Sequence, residues 1–281
     1  MTSAALETSA LSLVAAASWG GGDFYGGVAT KRLNVFRVVA VAHGCGLAAM
    51  LLMVWLTGEA VPPRVDLIWG AVAGLAGAFG IAALYRALAI GRMGVVAPVA
   101  SVITGVLPVL VGMRTEGMPD SVQLLGFALA LVSIWLVARP SEYVDSHRGL
   151  GLAVLAGVMF GFFLVAGKQA GHHGVFWPMV AARVASTTLM LAIVVFLPRD
   201  PHSLRTALWP MVLSGLLDSA GNALFIAASR HGRLDVAAVL SSLYPASTVI
   251  LARLLLKEQI SKSQTTGIIG ALLAVGLISA R

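Results

Sequence analysis

The sequence predicts an all-α integral membrane protein of about ten transmembrane helices, built as two inverted five-helix repeats. Of its 281 residues, 58% are hydrophobic and 11% are charged, whereas roughly a quarter of the residues in an ordinary soluble domain are charged. The chain also repeats itself, because the stretch 208–238 matches the stretch 67–97 without a gap at an offset of 141 residues. We interpret residues 1–140 as the first repeat and residues 141–281 as the second.

Small residues carry most of the match between the two stretches. The offset places Gly74 opposite Gly215 and Gly80 opposite Gly221. Outside the stretches it relates further identical pairs, among them Gly20 and Gly161, Ala29 and Ala170, Ser101 and Ser242, and Gly126 and Gly267. Glycines spaced in this way let a neighbouring helix approach closely. We therefore predict that Gly74, Gly80, Gly215 and Gly221 are packing or sliding contacts inside the bundle.

Ten apolar runs are each long enough to cross a bilayer as a helix of ~20 residues. They cover 9–30, 34–57, 66–90, 93–113 and 121–138 in the first repeat, and 149–170, 175–197, 206–229, 234–255 and 264–280 in the second. Lipid offers the backbone no hydrogen-bond partner, so these runs should be helices. The first run has no basic segment before it, and we interpret it as a span rather than a cleaved signal peptide. An odd number of spans per repeat inverts the second repeat relative to the first, a common transporter plan with a site near the middle of the membrane.

The remaining composition excludes several kinds of site. The formal charge is +7, but the basic residues stand singly between apolar runs, so we expect no nucleic-acid partner. Cys45 is the only cysteine, which excludes an intrachain disulfide. His172 and His173 are adjacent, but no carboxylate or cysteine follows at a ligand spacing, so we expect no metal and no cofactor.

The repeats differ chemically in the eighth run, where the second repeat has Asp218 and Asn222 in place of Gly77 and Ile81. A charge at the middle of a bilayer helix costs about 2.5–3.5 kcal/mol on insertion scales, so such a residue needs a partner or a function. Ser214, Asp218 and Asn222 are spaced by four and share one helical face, which must look into the bundle or a hydrated cavity. Asp218 and Asn222 are therefore candidates for substrate binding, and Asp218 also for accepting a proton.

Three further polar residues lie inside the apolar runs. Arg183, in the seventh run, is a candidate for substrate binding together with Asp218, and the alternative is an ion pair that only ties two spans. Asp23 follows three glycines in the first run, where it either lines a cavity or is hydrated near the end of the span. His43, near the centre of the second run, is either a proton relay or a packing residue.

Tyr244 and Pro245 interrupt the ninth run, with Ser241 close by. Because proline frees a backbone carbonyl, this place either offers substrate contacts, including Tyr244 and Ser241, or is a static kink patched by hydroxyl groups. Pro245 and Pro98 are the candidate hinges. The aromatic candidates for the walls of a pocket, or alternatively for simple packing, are Trp19, Phe160 and Tyr85.

Several segments together resemble a known family. They are Ser18-Trp19-Gly20-Gly21-Gly22-Asp23-Phe24, Ala227-Ala228-Ser229-Arg230, the stretch 236–245 and the stretch 254–260. In this order they resemble the EamA family of the drug/metabolite transporter superfamily, bacterial exporters of ten spans in two five-span halves. The first half departs from the pattern, because its proline is shifted to Pro108 and Glu116 is not followed by a basic residue. The resemblance implies export of small metabolites across a bacterial inner membrane, with both termini cytoplasmic.

Charge indicates the opposite orientation. With a cytoplasmic amino terminus, the external loops carry nine Lys and Arg residues and the cytoplasmic segments carry six. The positive-inside rule would place the larger number in the cytoplasm. Composition and resemblance therefore disagree on which side the termini lie.

The function that the sequence favours is secondary transport by two halves that rock about a central cavity. The expected partners are the lipid bilayer, a small-molecule substrate, either an amino acid or a cationic compound, and protons coupled through Asp23, Asp218 and His43. The alternatives are an integral-membrane enzyme acting on lipids and a membrane sensor or scaffold. The chain contains no His-Glu-x-x-His, Gly-x-Ser-x-Gly or Walker motif and no long polar segment, which favours transport.

Overall fold

The computed structural model describes residues 3–30, 32–90, 93–138, 149–198, 204–256 and 261–279. The regular structure of these ranges is eleven α-helices and one 3₁₀ helix, Leu204–Ala207. The first repeat contains α1 (Ser3–Thr30), α2 (Val35–Thr57), α3 (Arg64–Ile90), α4 (Met93–Thr115) and α5 (Ser121–Ala138). The second contains α6 (Leu150–Ala170), α7 (Phe176–Val195), α8 (Leu208–His231), α9 (Leu234–Ser241), α10 (Tyr244–Leu256) and α11 (Lys262–Ser279).

The helices follow the predicted spans except at the ninth, which is two helices. α9 ends at Ser241 and α10 begins at Tyr244. Pro245 lies in the first turn of α10, where its missing N–H removes no helical hydrogen bond. By length and composition the helices apolar enough to cross a membrane are Val35–Thr57, Arg64–Leu84, Leu150–Ala170, Phe176–Val195 and Leu204–His231, and shorter apolar helices are Val99–Thr115, Ser121–Val137 and Lys262–Ile278.

Equivalent helices of the two repeats run antiparallel. Near the start of α2, Val39 shares a buried cluster with Met190 near the end of α7. Just beyond the end of α2, the Glu59 carboxylate accepts a hydrogen bond from the Trp177 N–H, at the start of α7, at 2.9 Å. α5 and α11 also run antiparallel, because Gly126 near the start of α5 contacts Ile278 near the end of α11, and Leu136 contacts Ser263 at the opposite ends. The second repeat is therefore inverted relative to the first, as predicted.

The first helix of each repeat packs along the third helix of the other, so α1 pairs with α8 and α6 pairs with α3. Trp19 of α1 lies against Gly221 of α8, and Phe160 of α6 lies against Gly80 of α3. Trp19 and Phe160 are themselves 141 residues apart, as are Gly80 and Gly221. These two contacts are thus equivalent and are related by a pseudo-two-fold axis between the repeats.

Gly74 and Gly215 form a second matching pair. They lie where the third helix of each repeat packs against the second helix of the other repeat. A Cβ atom at Gly74 would overlap the carbonyl group of Ala182 in α7, and one at Gly215 would overlap that of Ala42 in α2. Only a residue without a side chain allows backbones to approach so closely. These two pairs of matching glycines, Gly74 with Gly215 and Gly80 with Gly221, therefore lie at contacts between the repeats.

Large apolar side chains cover the outside of the bundle. Trp55 is 76% exposed, Phe196 87% and Leu272 69%. Such a surface would be unfavourable in water, where each large apolar side chain left exposed forgoes about 1.5–3 kcal/mol of burial. Against lipid chains this penalty disappears, so the surface suits a bilayer.

The two ends of the bundle are named from the chain. The proximal end carries the start of α1 and the loops 58–63, 116–120, 171–175 and 232–233, and the distal end carries the loops 32–34 and 196–198. At the distal end Arg32 donates a hydrogen bond to the Thr206 carbonyl at 2.9 Å.

Candidate functional site

A cavity lies where the two repeats meet, and we call it the main cavity. Its volume is about 790 Å³ with the open mouth included. The first repeat contributes Trp19, Asp23, His43, Gly74, Gly77, Ile81, Leu84 and Thr104, and the second contributes Phe160, Phe163, Leu164, Met179, Ala182, Arg183, Asp218, Asn222 and Tyr244. The structure thus brings together most of the residues that the sequence singled out.

An ion pair lies at one side of the main cavity. Arg183 of α7 donates a hydrogen bond from Nη2 to Oδ2 of Asp218 in α8. The Arg183 side chain is 5% exposed and the Asp218 side chain 29%. Both side chains line the cavity, and the carboxylate is the more accessible member of the pair. The ion pair that the sequence left as an alternative is formed, but it also lines the cavity.

A chain of hydrogen bonds extends from this ion pair to the first repeat. Asn222, one turn after Asp218, donates from Nδ2 to Asp218 Oδ2 at 3.4 Å. Its carbonyl Oδ1 accepts a hydrogen bond from Trp19 Nε1 at 2.8 Å. Since Trp19 belongs to α1, the polar face of α8 is joined directly to the opposite repeat. The indole ring also packs against Phe225, with the two ring centroids 5.9 Å apart.

Asp23 and His43 complete the polar side of the main cavity. Asp23 is exposed, and because it lines the cavity its exposure is to this space. His43 of α2 is 4% exposed. Among the described residues, no protein group forms a hydrogen bond with His43 Nδ1, and a buried polar atom of this kind calls for a water molecule or a ligand. His43 is therefore more than a satisfied packing residue.

The break between α9 and α10 places an aromatic hydroxyl at the cavity. Tyr244, the first residue of α10, shares a hydrogen bond of 3.0 Å with Ser101 Oγ of α4, and its ring meets that of Trp19 edge to face, with centroids 6.4 Å apart. Thr248 donates to the Gly20 carbonyl at 3.1 Å and thereby ties α10 to α1. Ser241 lies elsewhere, fully buried, and donates to the Ser12 carbonyl.

Two predicted residues fall outside what the structure describes. The backbone of Pro98 lies within α4 and that of Tyr85 within α3, but their side chains are not among the described ones. Their predicted roles as a hinge and as an aromatic wall stay predictions.

The main cavity has a polar wall and an apolar wall, and the internal repeat relates them. The offset of 141 pairs Asp218 with Gly77, Asn222 with Ile81, Arg183 with Ala42 and Asp23 with Leu164. Every charged residue of the polar wall therefore has an apolar counterpart. Gly77 and Leu164 themselves belong to the apolar wall, together with Phe160 and Phe163. A solute in this cavity meets charge on one side and an aromatic and aliphatic surface on the other.

Phe163 is the main lining residue that sequence analysis missed. Its ring packs on Gly77, where an added Cβ would stand 3.4 Å from the ring. The contact related to it by the offset is that of Gly22 with the backbone of Asp218. The offset could have identified Phe163, because it places an aromatic ring opposite the first glycine-rich segment. For Thr104 and Met179 the sequence carries no comparable signal.

A network of charged side chains joins the two repeats at the proximal end. Glu116, after α4, forms an ion pair with Lys168 of α6 and accepts a hydrogen bond from the Leu234 N–H, at the start of α9, at 2.8 Å. Arg233 donates to the carbonyl groups of Glu116 and Gly117 at 3.0 and 2.7 Å. Hydrogen bonding to Asp235 raises the pKa of the Arg233 guanidinium, so this cation stays charged at any ordinary pH. A glutamate of the first repeat therefore caps a helix of the second.

A second carboxylate acts in the same way at the start of α7. Glu59, after α2, accepts hydrogen bonds from the N–H groups of Val175, Phe176 and Trp177, each at 2.9 Å. A carboxylate at a helix amino terminus accepts hydrogen bonds from the free N–H groups and interacts favourably with the positive end of the helix dipole. Nearby, His173 Nδ1 lies 2.9 Å from Asp66 Oδ2 at the start of α3. The proximal end is thus held together by contacts between loops of opposite repeats.

Fold and site together define a class of protein, helical membrane proteins in which two inverted repeats enclose a central cavity. Residues 8–139 and 147–280 each match the model of the EamA-like transporter family. The chain therefore belongs to the EamA-like transporter family and is a multi-pass membrane protein, from a family of transporters rather than enzymes. The resemblance seen in the sequence is confirmed.

A solved structure described as a crystal structure of a protein has the same fold. It matches with a TM-score of 0.77 over 96% of this chain and 95% of that chain, at 17% sequence identity. No curated protein sequence matches the chain.

Proposed function

We propose that this protein is a secondary transporter that exports small amine-bearing metabolites by alternating access. In this proposal the repeats 1–140 and 141–281 each supply five spans, and α9 and α10 together form the ninth of ten. The observation that carries the proposal is the main cavity, which lies between inverted repeats and has one charged wall and one apolar wall.

The charge of the polar wall favours a cationic or zwitterionic solute. The polar wall holds two carboxyl groups, those of Asp23 and Asp218, and one guanidinium group, that of Arg183, so acidic groups outnumber basic ones there. Among the described residues, no hydrogen bond occupies Oδ1 of Asp218, which leaves this oxygen for a substrate ammonium group. The opposite wall offers Phe160 and Phe163 to the apolar body of the same solute.

The proximal network supports alternating access. Its bonds join loops of opposite repeats, so they must break when the repeats rock apart at that end. Charge-assisted hydrogen bonds of this kind contribute about 1.5–3 kcal/mol each. Such contacts hold one end together yet remain weak enough to exchange, as a gate requires.

The cellular setting is part of the proposal. We place the protein in a bacterial-type inner membrane with both termini, and hence the proximal end, in the cytoplasm. Proton coupling would use Asp23 and Asp218, whose charges both face the main cavity. A proton taken up by either carboxylate would weaken its hold on an ammonium group, which is the requirement for exchange.

Uptake into proteoliposomes with three radiolabelled probes tests the function. Phenethylamine, phenylalanine and phenylpropionate share a phenylethyl skeleton and carry an ammonium group, both an ammonium and a carboxylate group, and a carboxylate group, so they separate cation, zwitterion and anion. We expect transport of phenethylamine or phenylalanine, competition between them, and no transport of phenylpropionate. Loss of this uptake in Asp218→Asn assigns it to the main cavity. Equal transport of all three probes, or of none, would exclude the proposed substrate class.

A further inference from the structure

A second, smaller cavity adjoins the main cavity, and we call it the side cavity. It shares Asp23, His43, Ile81 and Asp218 with the main cavity. Its remaining lining residues belong to α1, α2 and α8, and they are Gly22, Gly26, Val38, Val39, Ala42 and Ser214. Apart from Gly22, which precedes Asp23 on α1, these residues lie between the shared carboxylates and the distal end, because α2 begins and α1 ends at that side. The side cavity therefore extends as a branch from the main cavity toward the distal end.

The size and lining of the side cavity exclude an organic solute. Its volume is about 350 Å³ with the mouth included, and its enclosed part has room for a water molecule only. Val38 and Val39 are 1% and 5% exposed and belong to the packed core. A solute that fits between the aromatic rings of the main cavity cannot enter the branch.

One polar group at the branch is buried without a protein partner. His43 lines the side cavity, and its Nδ1 forms no hydrogen bond with any described residue. Asp23 lines the same space, and no hydrogen bond from a described residue reaches its carboxylate. Buried polar atoms in proteins are almost always satisfied, and where no protein group does so an ordered water molecule does. The two side chains and the space between them thus define a hydration site.

We propose that the side cavity is a hydrated branch through which Asp23 and His43 exchange protons with the distal side while the organic solute uses the main cavity. Hydronium in the branch transfers a proton to one ring nitrogen of His43 and becomes water, the imidazolium loses the proton of its other ring nitrogen to a carboxylate oxygen of Asp23, and the reverse steps return the proton to water. The other titratable or charged groups that face Asp23 are Arg183 from α7, Asp218 from α8 and Tyr244 from α10. The helix α3 contributes apolar Ile81 at this place. The role of the side cavity in transport rests on the proposed function, whereas the hydration of the side cavity is independent of that function.

Silver-ion accessibility tests the hydration without any substrate. Cys45 is first replaced by alanine, and single cysteines are then placed at Ser214 in the side cavity, Thr104 in the main cavity and Ser229 in the dry interior of α8. Ag⁺ is close to water in size and reacts with thiols, whereas a methanethiosulfonate carrying a trimethylammonium group is larger. Thiols left unreacted are counted after denaturation.

We expect Ser214→Cys to react with Ag⁺ but not with the larger reagent, and Thr104→Cys to react with both. Saturating phenethylamine should protect Thr104→Cys and leave Ser214→Cys reactive. Ser229→Cys, which replaces a residue 2% exposed, should stay unreacted. Reaction of Ser214→Cys no faster than that of Ser229→Cys would overturn the proposal, whether or not phenethylamine is transported.

A second measurement tests the proton exchange. In proteoliposomes loaded with a pH-sensitive dye, Ser214→Leu should fill the branch, while Ser214→Ala leaves it open. We expect Ser214→Leu to retain phenethylamine exchange at zero pH gradient. Under a pH gradient, this variant should accumulate about tenfold less phenethylamine than Ser214→Ala. Equal gradient-driven accumulation in both variants would contradict the proton branch, and absence of exchange in the wild type would contradict the proposed function instead.

Discussion

Arg183 and Asp218 form an ion pair at the main cavity, and the acidic partner is the more exposed of the two. The arginine side chain is 5% exposed and the aspartate side chain 29%. Replacing one member of a buried pair leaves the other without a counter-charge, which costs more than the pair contributes. Stability and substrate binding at this place are therefore coupled, and a useful experiment has to separate them.

Asp218→Asn should weaken binding of phenethylamine and destabilise the protein together. Loss of a charge-assisted contact should raise the Kd by about ten- to a hundredfold. The unpaired Arg183 should lower the free energy of unfolding by about 1–3 kcal/mol. Both are measured in detergent, by scintillation proximity binding and by thermal unfolding. The double variant Asp218→Asn with Arg183→Gln should regain the stability but not the binding, and recovery of both would show that Asp218 only holds the helices.

Trp19→Phe should remove a hydrogen bond from the polar wall of the main cavity and keep an aromatic ring at this position. The phenyl ring keeps the packing against Phe225, but Asn222 Oδ1 loses its 2.8 Å hydrogen bond. An unsatisfied buried acceptor costs about 1–3 kcal/mol, so we expect a lower melting temperature and a rise in the KM for transport. Trp55→Phe is the matched control, because Trp55 is 76% exposed on the lipid-facing surface. Equal behaviour of the two variants would exclude a role for the indole N–H.

Much of this fold could be predicted from the sequence for a definite physical reason. Lipid leaves helices as the only form for long apolar runs, and an odd number of runs per repeat inverts the second copy. The offset of 141 then pairs residues that a single copy would never relate, such as Trp19 with Phe160. The polar wall was predictable because a charge inside an apolar run needs a partner, and Asp218 finds one in Arg183.

The proximal network could not be predicted, because its members lie in loops far apart in sequence. Glu116 and Leu234 are separated by 118 residues, and no local pattern marks a loop carboxylate as the cap of a distant helix. The apolar wall was hidden within either copy alone. A phenylalanine in an apolar run, such as Phe163, has the same sequence signature whether it faces lipid, core or cavity, and only the offset of 141 singles it out.

Gly74→Ala should destabilise the protein more than the same change elsewhere in the bundle. Its Cβ would overlap the Ala182 carbonyl, and forced overpacking costs about 1–3 kcal/mol. Gly44→Ala in α2 is the control, because a Cβ there meets nothing within 4 Å and alanine favours a helix by up to about 1 kcal/mol. Thermal unfolding in detergent should separate the two variants in opposite directions. A neutral Gly74→Ala would mean that the repeats are not in close contact at this point.

Glu116→Gln should open the proximal end. Glutamine keeps the size of the side chain but loses the ion pair with Lys168 and weakens the cap on the Leu234 N–H. Loss of a charge-assisted bond worth about 1.5–3 kcal/mol should shift the equilibrium toward the open state by about tenfold or more. The readout is the rate at which a charged thiol reagent labels Met179→Cys in a background lacking Cys45, since Met179 lines the main cavity and is 1% exposed. Glu7→Gln is the control at the same end, because Glu7 is 58% exposed and lies 3.5 Å from an exposed histidine. Faster labelling in Glu116→Gln alone would establish the network as the proximal gate, whereas unchanged labelling would reduce it to a structural clamp.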